Sequence, residues 1–154
     1  MELSTFKNLV GPVIDAIAGQ PLDQALADRL NDTIPPGSAL FQDIEKACHR
    51  AIEAGWMCRE GSDGRRIGRV IEATDDSKNL SIDVVDLIDI VGPHHRHPNG
   101  EVCMIMPQTE AAVFDGKPAG WCVYPPESAH RPTVSNGRAL VLYLLPNGEI
   151  DFTG

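Results

Sequence analysis

Long apolar runs are missing from this 154-residue chain. No stretch approaches the ~20 consecutive apolar residues that a membrane-spanning helix needs, so a membrane partner is not expected. Basic clusters are missing as well. Asp and Glu number 22 against 13 Lys and Arg, for a net charge of -9. Phosphate backbones are held by clustered cations, so nucleic acid is not an expected partner either. The opening MELSTFKNLV carries Glu2 early and lacks the basic-then-apolar build of a secretory signal. The expected location is therefore the cytoplasm. No CxxC pair joins Cys48, Cys58, Cys103 and Cys122, which excludes zinc ribbons and dithiol redox motifs. Free, largely buried thiols are expected. What the chain does have is a 42% apolar composition, enough for a core in one domain spanning 1–154.

Two halves differ in period. Over 1–55, Phe6, Leu9, Val10, Val13, Ile14 and Ile17 recur at three- and four-residue intervals, the mark of one apolar helix face. Pro12 is expected to kink or divide that helix, and Gly19 to end it. A second stripe, Leu22, Leu26 and Leu30, begins after Pro21. A third helix starts at an N-cap on Ser38, runs through Phe41, Ile44 and Cys48, and stops at Gly55. Over 56–154 the signal changes to strands, expected near 65–72, 80–91, 101–106, 111–114, 119–124, 129–134, 138–145 and 149–152. Turn chemistry separates them at Gly61-Ser62-Asp63-Gly64, Asp75-Asp76-Ser77, Asp115-Gly116, Asn136-Gly137 and Asn147-Gly148. Many short strands at this spacing indicate an antiparallel sandwich or barrel. The run Ile82–Val91 is apolar on both parities, as expected where one face lines the barrel and helices cover the other.

The segment GPHHRHPNGE, 92–101, carries the chemistry. On a strand His95 and His97 project from one face. The Pro98-Asn99-Gly100 turn folds the chain back and sets Glu101 at the start of the next strand. A further imidazole, His130, follows in YPPESAHRP. Two imidazoles, a carboxylate and a later imidazole suit a divalent transition metal with open positions. A solvated HHRH cluster is the competing reading, and the same-face spacing, the carboxylate after the turn and the fourth ligand type argue against it. His94 points the other way, toward outer hydrogen bonding or solvent. Cys103 shares parity with Glu101, and packing is expected of it before chemistry.

HRHPNGE resembles the first cupin motif, and GWCVYPPESAH the second, with Gly120, Pro125 and His130 in order. The resemblance implies His95, His97, Glu101 and His130 as four metal ligands in a cupin-type antiparallel β-barrel with about three helices packed on it. Two departures stand out. Pro107 and Gln108 occupy the place of a customary glycine, and Glu127 replaces the glycine of Pro-x-Gly, so that turn is expected to be made differently. Across nearly the whole chain, GRVIEA, SIDVVDL, GPHHRHPNGE, GWCVYPP, SAHRPTV and GRALVLYLLPNGEI resemble the 4-hydroxylaminobenzoate lyase family. That resemblance implies conversion of 4-hydroxylaminobenzoate to 3,4-dihydroxybenzoate with release of ammonia, in 4-nitrobenzoate degradation.

The implied partner is a small aromatic carboxylate, for which an arginine fork is well matched. Arg66, Arg69, Arg96, Arg131 and Arg138 lie in the strand region, and Arg69 in IGRVIEA is the first choice. Tyr143 is placed to donate a hydrogen bond inward or to pack. Trp121 and Tyr124 read as core or wall, and Glu127 as a surface turn in preference to an acid or base near His130. The cofactor is a divalent transition metal, with iron, manganese, nickel, cobalt and zinc all open. A homodimer is expected. Two other functions fit the same cavity: a metal-dependent cupin dioxygenase on an aromatic substrate, and a non-catalytic small-molecule binding protein.

Overall fold

The apolar stripe of the first helix decides its course. In the computed structural model, which describes residues 2–153, α1 (Leu3–Ile17) runs unbroken, burying Phe6, Val10, Val13, Ile14 and Ile17. The expected break at Pro12 does not occur. Pro12 forfeits a bond to the carbonyl of Asn8, but both residues are exposed, where water can serve that carbonyl, while the buried stripe continues on either side. The second helix, α2 (Gln24–Thr33), starts later than the Leu22 stripe implied, because the Asp23 side chain accepts from the Leu26 N–H at 3.0 Å and caps it there. In α3 (Ala39–Ala54), Ser38 caps the start and Gly55 closes the end at φ 86°.

The strands are β1 (Glu60–Ser62), β2 (Arg65–Ile71), β3 (Leu80–Val91), β4 (His95–His97), β5 (Glu101–Pro107), β6 (Val113–Phe114), β7 (Gly120–Tyr124), β8 (Ser128–His130), β9 (Thr133–Pro146) and β10 (Asp151–Phe152). They form two antiparallel sheets. One has the order β1-β2-β3-β9-β5-β7, with β6 pairing on β9, and the other is β10-β4-β8. Among the described residues no ladder closes them into one cylinder, which corrects the closed-barrel expectation. Pro93, Pro98, Pro125, Pro126 and Pro132 flank the three-residue strands β4 and β8 and supply no N–H to extend them.

Parity assigns the two faces of the large sheet. Ile82, Val84, Val102, Met104, Met106, Leu140, Leu142 and Leu144 pack against the helices. Val85, Leu87, Cys103, Ile105, Val141 and Tyr143 form a separate inner cluster. Asn31 of α2 fixes the edge strand β7, donating to the Trp121 carbonyl at 2.9 Å and accepting from its N–H at 2.8 Å. Among the described residues no helix is long and apolar enough to cross a membrane.

Two expected turns are something else. Glu60–Ser62 pairs with β2 as a strand, so the turn shrinks to Asp63-Gly64. Asn136-Gly137 lies within the long strand β9, where both take positive φ opposite Asp89 at a register shift. The Gly137 N–H donates to the Asp89 carboxylate at 2.9 Å. This bulge lets β9 serve β3 along its length and β6 at its start. The expected strand 129–134 is likewise split at Pro132, between β8 and β9.

Candidate metal centre and adjoining cavity

Two strand alternations and one tight turn build the centre. His95 and His97 lie on one face of β4, and the register sets His95 directly opposite His130 of β8. Gly92, where β3 passes toward β4, donates to the Pro132 carbonyl at 2.7 Å. A Cβ there would lie 2.9 Å from that oxygen, so only glycine permits the approach. Gly100 turns at φ 84° against the Tyr124 carbonyl and carries the chain into β5.

The four expected ligands converge, their ligand atoms all within 4.8 Å of one another. His130 Nε2 lies 3.1 Å from His95 Nε2 and 3.0 Å from His97 Nε2. Glu101 Oε2 is 3.1 Å from His97 Nε2, yet accepts no hydrogen bond although it is buried. An unsatisfied buried acceptor costs about 1–3 kcal/mol, more when charged, so a cation is the partner such an atom lacks. The spacing fits one. Neighbouring ligands about 2.1 Å from an octahedral ion stand about 3.0 Å apart. The donor set therefore suits a divalent transition metal and leaves its identity open.

Burial, and then the neighbouring imidazoles, lower the pKa of His95 to about 4 and of His97 to about 3, so both rings are neutral near pH 7 and have lone pairs to offer. Burial pushes the Glu101 carboxyl well up, and the Cys103 thiol, which donates to Oε1 at 2.7 Å, partly offsets it. These shifts have opposite consequences for stability. Below pH 6.5 the unfolded chain takes up protons that the buried rings refuse, so their contribution is lost as pH falls toward about 4. Glu101 holds a proton that the unfolded chain releases above 4.5, so its contribution is lost as pH rises. For metal-free protein, Tm is expected to peak near pH 6.5, with saturating divalent metal removing the alkaline decline. Thermal melts in chelator from pH 4 to 9 check this. A flat Tm in E101Q on the alkaline side identifies the carboxyl, and an undiminished decline in that variant rejects it.

Asp115 and Tyr124 are functional neighbours the sequence did not expose. His130 Nδ1 lies 2.7 Å from Asp115 Oδ2, and the other Asp115 oxygen accepts from the Thr133 N–H at 2.8 Å. Tyr124 donates to the same Oδ2 and tilts its ring against His130 at 4.2 Å. Burial raises the Asp115 pKa, but the bonds from His130, Tyr124 and Thr133 outweigh it and hold the carboxyl below its usual value. An ionised Asp115 keeps the His130 proton on Nδ1 and so presents a bare Nε2 to the centre. Asp115-Gly116 reads as a plain turn in the sequence, and no local signal ties it to a histidine 15 positions on.

Glu127 is exposed and paired with Arg96 at 2.6 Å. It adopts φ 72°, and its N–H donates to the His97 carbonyl at 2.8 Å. The expectation of a differently made turn is thus corrected: the backbone takes the left-handed conformation that glycine would favour, with a side chain in place. His94 bonds outward to Thr153.

A cavity of about 230 Å³ opens beside His95, between the two sheets. Ile67, Val85, Leu87, Pro132, Ile150 and Phe152 make it largely apolar, and Arg65, Arg69 and Tyr143 also line it. Arg69 is bonded to Asp83 at 2.8 Å and to the Gly148 carbonyl at 3.1 Å. Among the described residues the Tyr143 hydroxyl has no hydrogen-bond partner, although the residue is only 7% exposed.

Facing antiparallel sheets that set three inward imidazoles and one carboxylate beside an apolar cavity are the arrangement that the two cupin-like motifs imply. Comparison with known proteins gives the kind of enzyme. The family model described as PnbB, 4-hydroxylaminobenzoate lyase, matches residues 8–152, and the chain belongs to that family of lyases. It is 29% identical to a 4-hydroxylaminobenzoate lyase of Nocardioides sp. (strain LMS-CY), covering 97% of this chain and 96% of that one. It is 30% identical to a 4-hydroxylaminobenzoate lyase of Pseudomonas putida, covering 94% and 93%. A solved Ralstonia eutropha protein of unknown function with a cupin-like fold aligns at a TM-score of 0.42 and 15% identity, over 56% of this chain and 57% of that one.

Proposed function

We propose that this protein converts 4-hydroxylaminobenzoate and water to 3,4-dihydroxybenzoate and ammonia, as a step in 4-nitrobenzoate breakdown, with a divalent transition metal held by His95, His97, Glu101 and His130. The observation that carries the reading is the convergence of three imidazole nitrogens and a buried, unpartnered carboxylate oxygen at the wall of an apolar cavity. The family's named substrate supplies the chemistry to be explained.

The conversion balances without an oxidant. The N–O bond breaks and its oxygen leaves as water. A second water bonds to the ring carbon beside the nitrogen-bearing one and gives up one of its own protons, while that carbon keeps its hydrogen and the nitrogen stands in a C=N bond. A third hydrolyses the resulting C=N bond to release ammonia, and tautomerisation restores the aromatic ring. When bound, a metal of this kind supplies Lewis acidity toward the hydroxylamine oxygen and lowers the pKa of water.

The chain's own residues do the rest. Ile67, Val85 and Leu87 hold the ring and exclude bulk water. Tyr143, kept protonated because burial and the nearby Glu101 raise its pKa, has an O–H to donate to the substrate from the cavity wall. Asp115 holds His130 in the tautomer the centre requires. Arg69 contributes a charge already offset by Asp83.

Anaerobic incubation of metal-defined protein with 4-hydroxylaminobenzoate is expected to give ammonia and 3,4-dihydroxybenzoate in equal amounts. A strict requirement for dioxygen would replace this reading with a dioxygenase. Tight binding without any product would reduce the protein to a binding module.

A further inference from the structure

The proposed substrate carries its negative charge at the opposite end of the ring from the reacting nitrogen. An apolar cavity has to supply a counter-charge there. We infer that Arg65, rather than Arg69, anchors the substrate carboxylate. The inference rests on the lyase reading and adds the specificity-determining residue to it.

The charges around the arginines carry the case. Arg66 pairs with Asp63 at 2.8 Å, Arg96 with Glu127 at 2.6 Å, and Arg138 with Asp86 at 2.8 Å. Arg69 lines the cavity, but Asp83 takes its Nε and one Nη, and the Gly148 carbonyl takes that Nη as well. A carboxylate at Arg69 would stand beside the Asp83 charge, and like charges repel.

Arg65 lines the same cavity, and its guanidinium has no hydrogen bond or ion pair among the described residues. The register explains the contrast. Arg69 stands opposite Asp83, whereas Arg65 stands opposite Leu87. Alternation along β2 sets residues 65, 67 and 69 on one face, and Ile67 between them packs on the inner cluster. Glu60 is the other acid on the cavity wall. It is exposed and forms an ion pair with neither arginine.

Position agrees with charge. Arg69 lies in the cross-strand row Asp83, Tyr143, Cys103, close to the centre. Arg65 is four residues farther along β2, about 13 Å of strand. A para-substituted ring with its nitrogen toward His95 and Tyr143 directs its carboxylate away from the centre, and a flexible guanidinium reaches back to meet it. An unpaired guanidinium offers two parallel N–H donors to a carboxylate.

The experiment compares R65M, R65K and R69M, metal-loaded, on 4-hydroxylaminobenzoate and on phenylhydroxylamine, which lacks the carboxylate. R65M is expected to raise KM for the acid by about 10- to 100-fold, the range for a hydrogen-bonded charge, with kcat nearly unchanged. On phenylhydroxylamine it should match the wild type, and R65K should lie between them. An unchanged KM in R65M, equal losses on both substrates, or the large effect appearing in R69M instead would overturn the assignment. Calorimetric binding of 4-aminobenzoate against aniline reads the anchor without turnover. A wild type that binds the acid selectively but makes no product defeats the lyase reading, and R65M still decides the anchor by whether that selectivity is lost.

Discussion

Replacing Glu101 with glutamine is expected to leave a folded protein with little bound metal and turnover lowered by more than about a hundredfold. Loss of even an outer partner of a metal ligand costs 10- to 100-fold, so loss of the only anionic ligand should cost more. Glutamine matches glutamate in shape and keeps an oxygen for the Cys103 thiol, 2.7 Å away in the native site. The fold therefore has no steric reason to change. What disappears is a carboxyl able to ionise against a cation beside the neutral rings of His95 and His97. Metal analysis of purified E101Q alongside its rate decides the matter: full metal content with normal turnover would remove Glu101 from the centre.

The second large effect is expected from D115N, which touches no ligand atom of the centre. Its side chain can still accept from the Thr133 N–H, as Asp115 Oδ1 does at 2.8 Å. The amide nitrogen then faces His130 Nδ1 as a donor, which drives the imidazole proton to Nε2 and occupies the lone pair aimed at the centre. Metal affinity and turnover are expected to fall together by about 10- to 100-fold. Nitrogen chemical shifts of His130 in the metal-free protein should report the changed tautomer. An unaltered tautomer with undiminished metal affinity would leave Asp115 a merely structural acceptor.

The convergence of His95, His97 and Glu101 was legible because its geometry is local, whereas His130 was tied to them only through the resemblance of its segment to a known motif. Two residues apart on a strand fixes a shared face, and a Pro-Asn-Gly turn fixes the next carboxylate. The helix caps at Ser38 and Gly55 were legible for the same reason. Contacts that depend on which strands cross were not. Asp115 meets His130 because β6 pairs with the start of β9, which follows His130 closely in the chain, and Asp115-Gly116 carries no sign of it. Asp83 neutralises Arg69 from 14 residues away, whereas Arg65, at the same parity, was passed over because its apolar cross-strand neighbour becomes visible only with the register. Asn136-Gly137 misled for a related reason. Both a hairpin and a bulge require positive φ, and only the partner strand distinguishes them.

Asn31 has a consequence for the outer margin of the large sheet. Its amide presents a carbonyl and an N–H to Trp121 much as the peptide of a neighbouring strand would. The outer edge of β7 is thereby supplied with a counterfeit neighbour at a point where another chain could zip on. A helix side chain so placed ends the sheet without a further strand, and it denies that margin to uncontrolled stacking of one molecule upon the next.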